Sequence, residues 1–321
     1  MNPTTDEAAM TISVVVPVYR SEATLRELHR RIVGTLAPRG AAFEILFVED
    51  CGGDGSWQVI DELARGDARV RGLRLGRNFG QHNALLCGIR AARHAIVITI
   101  DDDLQNPPEE MPRLLAKLEE GADVVYGAPG EKQHGLLRNW ASSVTRIALA
   151  GPMGSTPARH VSSFRAFRTY LRDAFRSYSG PFVSIDVLLT WGTARFTHAV
   201  VRHDPRAAGV SNYTLRKLMV HALNMVTGFT TLPLQLASIL GFAFALFGLG
   251  ILAYVVIGYL VRGGSVPGFP FLASVIAIFS GVQLFALGII GEYLARMHQR
   301  SMERPAYLVR EACGAPPAPP P

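Results

Sequence analysis

The stretch TISVVVPVYRSEATLRELHRRIVGTL, residues 11 to 36, decides how the rest of the chain is read. Its first nine residues form an apolar, β-branched run of strand length, as a buried strand requires. After Tyr19 the pattern changes to helical spacing, with Ser21 standing at the cap position. The alternation then continues outward: strand FEILFVED, helix GSWQVIDELARG, strand VRGLRL, helix GQHNALLCGIRAA, strand HAIVITIDDD, helix PPEEMPRLLAKLEEG and strand DVVYG. Strand and helix in strict turn predict an α/β fold with a mainly parallel sheet covered on both faces. In such a sheet, ligands bind beyond the carboxyl ends of the strands.

Polar and acidic residues gather at those ends. Pro17, Tyr19, Arg20, Ser21 and Glu22 follow the first strand, and Glu49 and Asp50 close the second. Arg77 and Asn78 follow the third, and Asp101, Asp102, Asp103 and Gln105 follow the fourth. Three adjacent carboxylates repel and lose solvation unless a cation or donors meet them. No G-x-G-x-x-G fingerprint follows the first strand, and no G-x-x-x-x-G-K-[ST] occurs anywhere, so glycine-rich phosphate cradles are excluded. A divalent cation held by carboxylates, itself gripping a diphosphate, is the alternative. On an extended segment Asp101, Asp103 and Gln105 share one face, and Asp102 points away as a cap or a hydrogen-bond acceptor.

The chain has 321 residues, 49% of them hydrophobic, and a net charge of +6. The opening MNPTTDEAAM is polar and does not read as a signal peptide. The apolar excess lies late. LPLQLASILGFAFALFGLGILAYVVIGYLV (232–261) and FLASVIAIFSGVQLFALGII (271–290) carry no charge, and each is long enough to span a bilayer. The connecting loop holds only Arg262. The outer flanks hold Arg216, Lys217, Arg296, Arg300, Arg304 and Arg310, so the flanks and the large N-terminal region are expected in the cytoplasm. Of 32 basic residues only three are lysine, a bias that a GC-rich genome accounts for and that contact with phosphate and anionic lipid would also favour. No basic stripe interleaves with aromatics, which argues against nucleic acid. The three cysteines follow no pattern, consistent with a reducing compartment.

Asp-x-Asp after a buried strand, preceded by VVVPVYRSE and FVEDCGGDGS, resembles the family 2 glycosyltransferases of GT-A fold. DDDLQNPPE resembles the segment of the branch that transfers sugars to polyprenyl phosphates, which includes dolichyl-phosphate mannose synthases and bacterial undecaprenyl-phosphate transferases. SSFRAFR, IDVLLTW, HDPRAAGVSNYTLRKL and both apolar spans extend the likeness over nearly the whole chain, most of all to the undecaprenyl-phosphate aminoarabinose transferase type. The resemblance implies that Pro17, Tyr19, Glu22 and Asp50 frame the nucleotide base, and that Asp101 lies near ribose and diphosphate. It implies that Asp103 and Gln105 bind Mg²⁺ or Mn²⁺. It places Arg165 in the catalytic set, and Arg206, Ser211, Tyr213 and Lys217 on the acceptor phosphate. Ser163 stands where many relatives have an aspartate proposed as base, so a dedicated base is not expected there.

The expected organisation is a flexible N-terminus (1–10), a cytoplasmic GT-A domain (11–213), an interfacial amphipathic helix (214–231), two transmembrane helices (about 232–261 and 271–294) and a cytoplasmic tail (295–321). The expected activity is inverting transfer of a sugar from a nucleotide diphosphate, UDP by preference, to undecaprenyl phosphate at the bacterial inner membrane. Relatives imply a homotetramer. A processive polysaccharide synthase would need more spans and a Q-x-x-R-W segment, which the sequence lacks. An inactive membrane scaffold is opposed by the intact Asp101, Asp103 and Gln105.

Overall fold

A computed structural model describes residues 10–129, 160–180, 182–204, 231–262 and 268–314. The chain divides into two units, residues 1–214 with 304–321, and residues 215–303. The first unit holds an eight-stranded sheet in the order β7-β5-β6-β4-β1-β2-β3-β8. The strands are β1 (Ile12–Val18), β2 (Phe43–Glu49), β3 (Val70–Leu75), β4 (Ile96–Thr99), β5 (Val124–Pro129), β6 (Arg165–Arg168), β7 (Phe196–Val201) and β8 (Val309–Cys313). The pairs β1–β2, β1–β4, β2–β3 and β5–β7 are parallel, whereas β6 and β8 run antiparallel to their neighbours. The alternation read from the sequence holds through β5.

Both faces of β1 are covered, which is why it reads as an unbroken apolar run. Ile12, Val14, Val16 and Val18 join one large cluster with Leu25, Leu28 and Ile32 of α1 (Glu22–Leu36), Val59 and Ile60 of α2 (Ser56–Gly66), and Leu114, Leu115 and Leu118 of α4 (Met111–Glu119). The other face takes α3 (Gln81–Ala91) so closely that a Cβ on Gly88 would stand 2.4 Å from Val15 Cγ1 and 3.1 Å from Val48 Cγ2. Glycine there lets α3 lie flush on β1 and β2, which fixes where the N-terminal end of α3 meets the rim. A short helix, α5 (Ile185–Thr190), follows β6.

In the second unit, α6 (Leu232–Arg262) and α7 (Phe269–Ser301) contain Pro233–Val261 and Ile278–Ser301, both long and apolar enough to cross a membrane. Phe244 of α6 and Phe279 of α7 meet edge to face at 5.9 Å. The interfacial helix expected at 214–231 lies outside the described residues except at Thr231.

Candidate active site

One pocket opens at the carboxyl ends of β1, β2, β3 and β4. Its walls are Pro17 and Val18 at the end of β1 with Tyr19 just after it, Asp50 after β2, Asn78 and Gly80 before α3, Gln81 and Ala84 in its first turn, and Asp101, Asp102 and Asp103 after β4. It sits where the sheet order reverses about β1, the position at which an open α/β sheet leaves a crevice.

The turn after β4 differs from the expected extended segment. Residues 102 and 103 form a turn, and Leu104 takes a φ of 61° while packing against the large core cluster. Side-chain alternation therefore does not apply, and all three aspartates line the pocket. Of the two roles expected for Asp102, cap or acceptor, it takes the second, but from within the pocket rather than pointing away. Its carboxylate takes hydrogen bonds from the Tyr19 backbone at 3.0 Å and the Ser21 hydroxyl at 2.5 Å, tying β4 to the loop after β1. Ser21 stands at the N-cap of α1 but gives its hydroxyl to Asp102, so it makes no side-chain cap. Burial pushes the Asp102 carboxyl up to about 6; hydrogen bonds from Ser21 and Tyr19 oppose the rise, and the Asp101 and Asp103 charges add to it.

Asp101 is oriented from two sides. Gln81 Nε2 donates to its Oδ1 at 2.7 Å, and the Ser163 hydroxyl donates to its Oδ2. Asp103 Oδ1 accepts from the Gln105 backbone at 3.1 Å, closing the turn. Asp50, deeply buried, accepts the backbone N–H of Phe79 and of Gly80, both at 2.7 Å. Burial raises its pKa, and those two amides pull it back.

The expected residues thus fall into three groups. Pro17, Tyr19, Asp50, Asp101 and Asp103 converge on the pocket. Glu22, Gln105 and Arg165 are not among its lining residues. Glu22 accepts from Gly55 N at 3.0 Å, at the N-terminus of α2. The Gln105 carbonyl accepts from Asp204 N at 2.8 Å. Arg165 is 2% exposed and ion-paired to Asp186, whose carboxylate also accepts from the Tyr126 hydroxyl at 3.0 Å. That burial sets Arg165 within the packed interior of the sheet, two residues after Ser163. Arg206, Ser211, Tyr213 and Lys217 lie outside the described residues. Gly80, Gln81 and Ala84 were not foreseen. Their signal is the RNFGQHN stretch after β3, whose amides matter only once Asp50 is folded beneath them.

The donor set fits a hard divalent cation in kind, since apart from Tyr19 its polar side chains offer carboxylate or amide oxygens. Among the described residues no group of three or more His, Cys, Asp or Glu is arranged to hold a metal ion.

Fold and pocket together define an α/β domain with an acidic pocket at the switch point of its sheet. The model of glycosyl transferase family 2 matches residues 13–179, and the chain belongs to that family. An undecaprenyl-phosphate 4-deoxy-4-formamido-L-arabinose transferase of Pseudomonas aeruginosa is 36% identical over 311 residues, 96% of this chain and 91% of the relative. The protein of the same name from Shewanella sediminis is 34% identical over 304 residues, 94% of this chain and 92% of the relative. Among solved structures, glucosyl-3-phosphoglycerate synthase from Mycobacterium tuberculosis, crystallised with Mn²⁺, UDP and phosphoglyceric acid, superposes with a TM-score of 0.51 at 21% identity. That superposition covers 68% of this chain and 77% of the synthase, and shows a shared fold.

Proposed function

We propose that the protein transfers a sugar from a UDP-linked donor to undecaprenyl phosphate at the cytoplasmic face of the bacterial inner membrane, anchored by two spans. The observation that carries this reading is the convergence of Asp50, Asp101, Asp102 and Asp103 on one pocket at the sheet's switch point. Likeness to the named transferases over 96% of the chain supports the acceptor class and makes 4-deoxy-4-formamido-L-arabinose the first sugar to test.

In this reading the base lies between Tyr19 and the Asp50 side of the pocket, and the diphosphate lies toward Asp101 and Asp103. Asp103, with Gln105 two residues on, would hold Mg²⁺ or Mn²⁺. Bound there, the cation would compensate charge on the nucleoside diphosphate leaving group. Asp101, fixed by Gln81 and Ser163, orients the donor. No strong base is required, because a phosphate monoester has its second pKa near ~6 and is mostly an oxyanion at neutral pH. Attack by that oxygen on the anomeric carbon inverts it, and positioning together with charge compensation lowers the barrier. Arg206, Ser211, Tyr213 and Lys217 are proposed to grip the acceptor phosphate. Supporting this, the backbone bond from Asp204 to Gln105 makes the chain enter that segment beside the 103–105 turn. A tetrameric assembly has no support in these comparisons.

The test is a panel of UDP- and GDP-sugars offered to purified protein with undecaprenyl phosphate and Mg²⁺ or Mn²⁺, scored for lipid-linked product. Product with one UDP-sugar, lost on chelation, is expected. Free-sugar release without lipid-linked product, or none of either from the whole panel, overturns the reading.

A further inference from the structure

The segment after α7 does more than cover a sheet edge. β8 pairs with β3 from Gly72 opposite Cys313 to Leu75 opposite Val309. The pairing is tight. A Cβ on Gly72 would stand 2.6 Å from Cys313 Sγ, and Arg74 bridges Glu49 of β2 and Glu311 of β8, each at 3.2 Å. Edge protection needs no more than this strand. Yet the contact continues past the end of β3, toward the pocket.

Gly76 N donates to the Leu308 carbonyl at 2.8 Å, at the first residue of the loop that becomes the pocket wall. Tyr307, half-buried, then packs on the cluster of Val48, Leu75, Ala84 and Cys87, together with Phe79. The Arg90 guanidinium lies 5.7 Å from the centre of the Tyr307 ring, and its Nη2 donates to the carbonyls of Phe175 and Tyr178 at 3.1 and 2.7 Å. Ala84 lines the pocket, Phe79 and Gly80 supply the amides that Asp50 holds, and Val48 lies two residues before Asp50. The 76–84 wall is thus gripped by Asp50 on one side and by Tyr307 and Leu308 on the other.

We propose that residues 307–314, with Tyr307 as the central contact, form a positioning element for the nucleotide end of the pocket. They hold the 76–84 wall where Asp50 meets it. This rests on the donor reading above. Tyr307 touches no substrate. It acts through Phe79, Gly80 and Ala84. Loss of the ring should let the wall drift and weaken nucleotide binding while leaving the acceptor side alone.

Two readouts on full-length protein in lipid nanodiscs test this. The first is amide hydrogen exchange of a peptide covering 76–84 with no ligand present. The second is UDP affinity with Mg²⁺, beside the apparent KM for undecaprenyl phosphate. For Tyr307→Ala, exchange of the wall should speed at least ten-fold, and UDP affinity should fall by about ten-fold with the acceptor KM unchanged. Tyr307→Phe, which keeps the ring, should restore most of both. If Tyr307→Ala does not fold, Tyr307→Leu is read in its place and should show the same split at smaller size. Unchanged wall exchange, or an equal loss of donor and acceptor affinity, overturns the proposal. If UDP does not bind wild type while wall exchange still responds to Tyr307, the donor reading fails and the mechanical coupling stands.

Discussion

Asp103 brings a negative charge into a turn that its Oδ1 helps to close by accepting from the Gln105 backbone. An asparagine keeps that acceptor and removes the charge. Asp103→Asn is therefore expected to fold and insert normally, and to lose transfer by at least about a hundred-fold, because a divalent cation needs the anionic oxygen. Metal-dependent turnover near wild type in the purified variant would remove Asp103 from the cation site. Ser163 is the second test at this scale. Its hydroxyl holds Asp101 from the β6 side, and a hydrogen bond to a charged group contributes on the order of 1.5–3 kcal/mol. Ser163→Ala should lower kcat by roughly ten-fold or more, with Ser163→Thr recovering most of it. Equal rates for all three proteins would show that Asp101 needs no such support. These positions were visible in the sequence to different degrees. Three carboxylates where an apolar run ends are conspicuous, so Asp101 and Asp103 could be picked out. Their geometry could not, because the positive φ at Leu104 follows from that side chain turning into the core. Arg165 lies in a four-residue strand beside Ser163, and its partner Asp186 sits on α5. Nothing local distinguishes a buried ion pair of that kind from a residue at the site.

Elements that carry a long local pattern were legible. β1 and β2 are seven-residue buried strands, α1 and α4 have one apolar face each, and all four were readable with no knowledge of their partners. β6, with four residues, and β8, whose VREAC is mostly exposed, offer no such run, and their partners are distant in sequence. The join between α2 and β3 gives a measurable consequence. Asp67, at the C-cap of α2, accepts from Arg69 Nε and Nη2, both at 2.8 Å, and faces His29 Nε2 at 3.0 Å. The bonds from Arg69 hold the Asp67 carboxyl far below its ordinary range, against the opposing effect of burial. A depressed folded pKa means that the unfolded chain takes up the proton first as pH falls. The stabilisation is thus complete above the ordinary Asp pKa near ~3.9 and is lost as pH drops below it. With Arg69 partly open to solvent, about 1 kcal/mol is expected. The thermal midpoint of Asp67→Asn should lie below wild type at pH 6, with the gap beginning to narrow only as pH falls below about 4. Parallel curves for the two proteins would exclude the coupling.

At the scale of the whole chain, the sheet constrains the membrane topology without appeal to charge. β7 precedes α6 and β8 follows α7, yet both strands belong to one sheet. If each apolar helix crosses once, the chain must leave and return on the same side, as the arginine-rich flanks also require. In a background without reactive thiols, a cysteine at one of positions 263–269 should react with an impermeant maleimide added outside intact spheroplasts. One at position 300 should react only after lysis. The reverse labelling would place the pocket away from cytoplasmic nucleotide sugars. Both apolar helices were legible in the sequence because twenty uncharged residues need no context. The sequence could not announce that the chain returns to its own first sheet. That return also orders events during synthesis. β3 emerges from the ribosome before either apolar helix and β8 after both, so the edge from Gly72 to Leu75 stays unpaired while the two helices are made. At roughly 5–20 residues per second the stretch from β3 to β8 takes about 10–50 seconds to make. A nascent chain stalled between α6 and α7 would carry an open, adhesive strand edge, and completion of the sheet would report that both apolar helices had been translated.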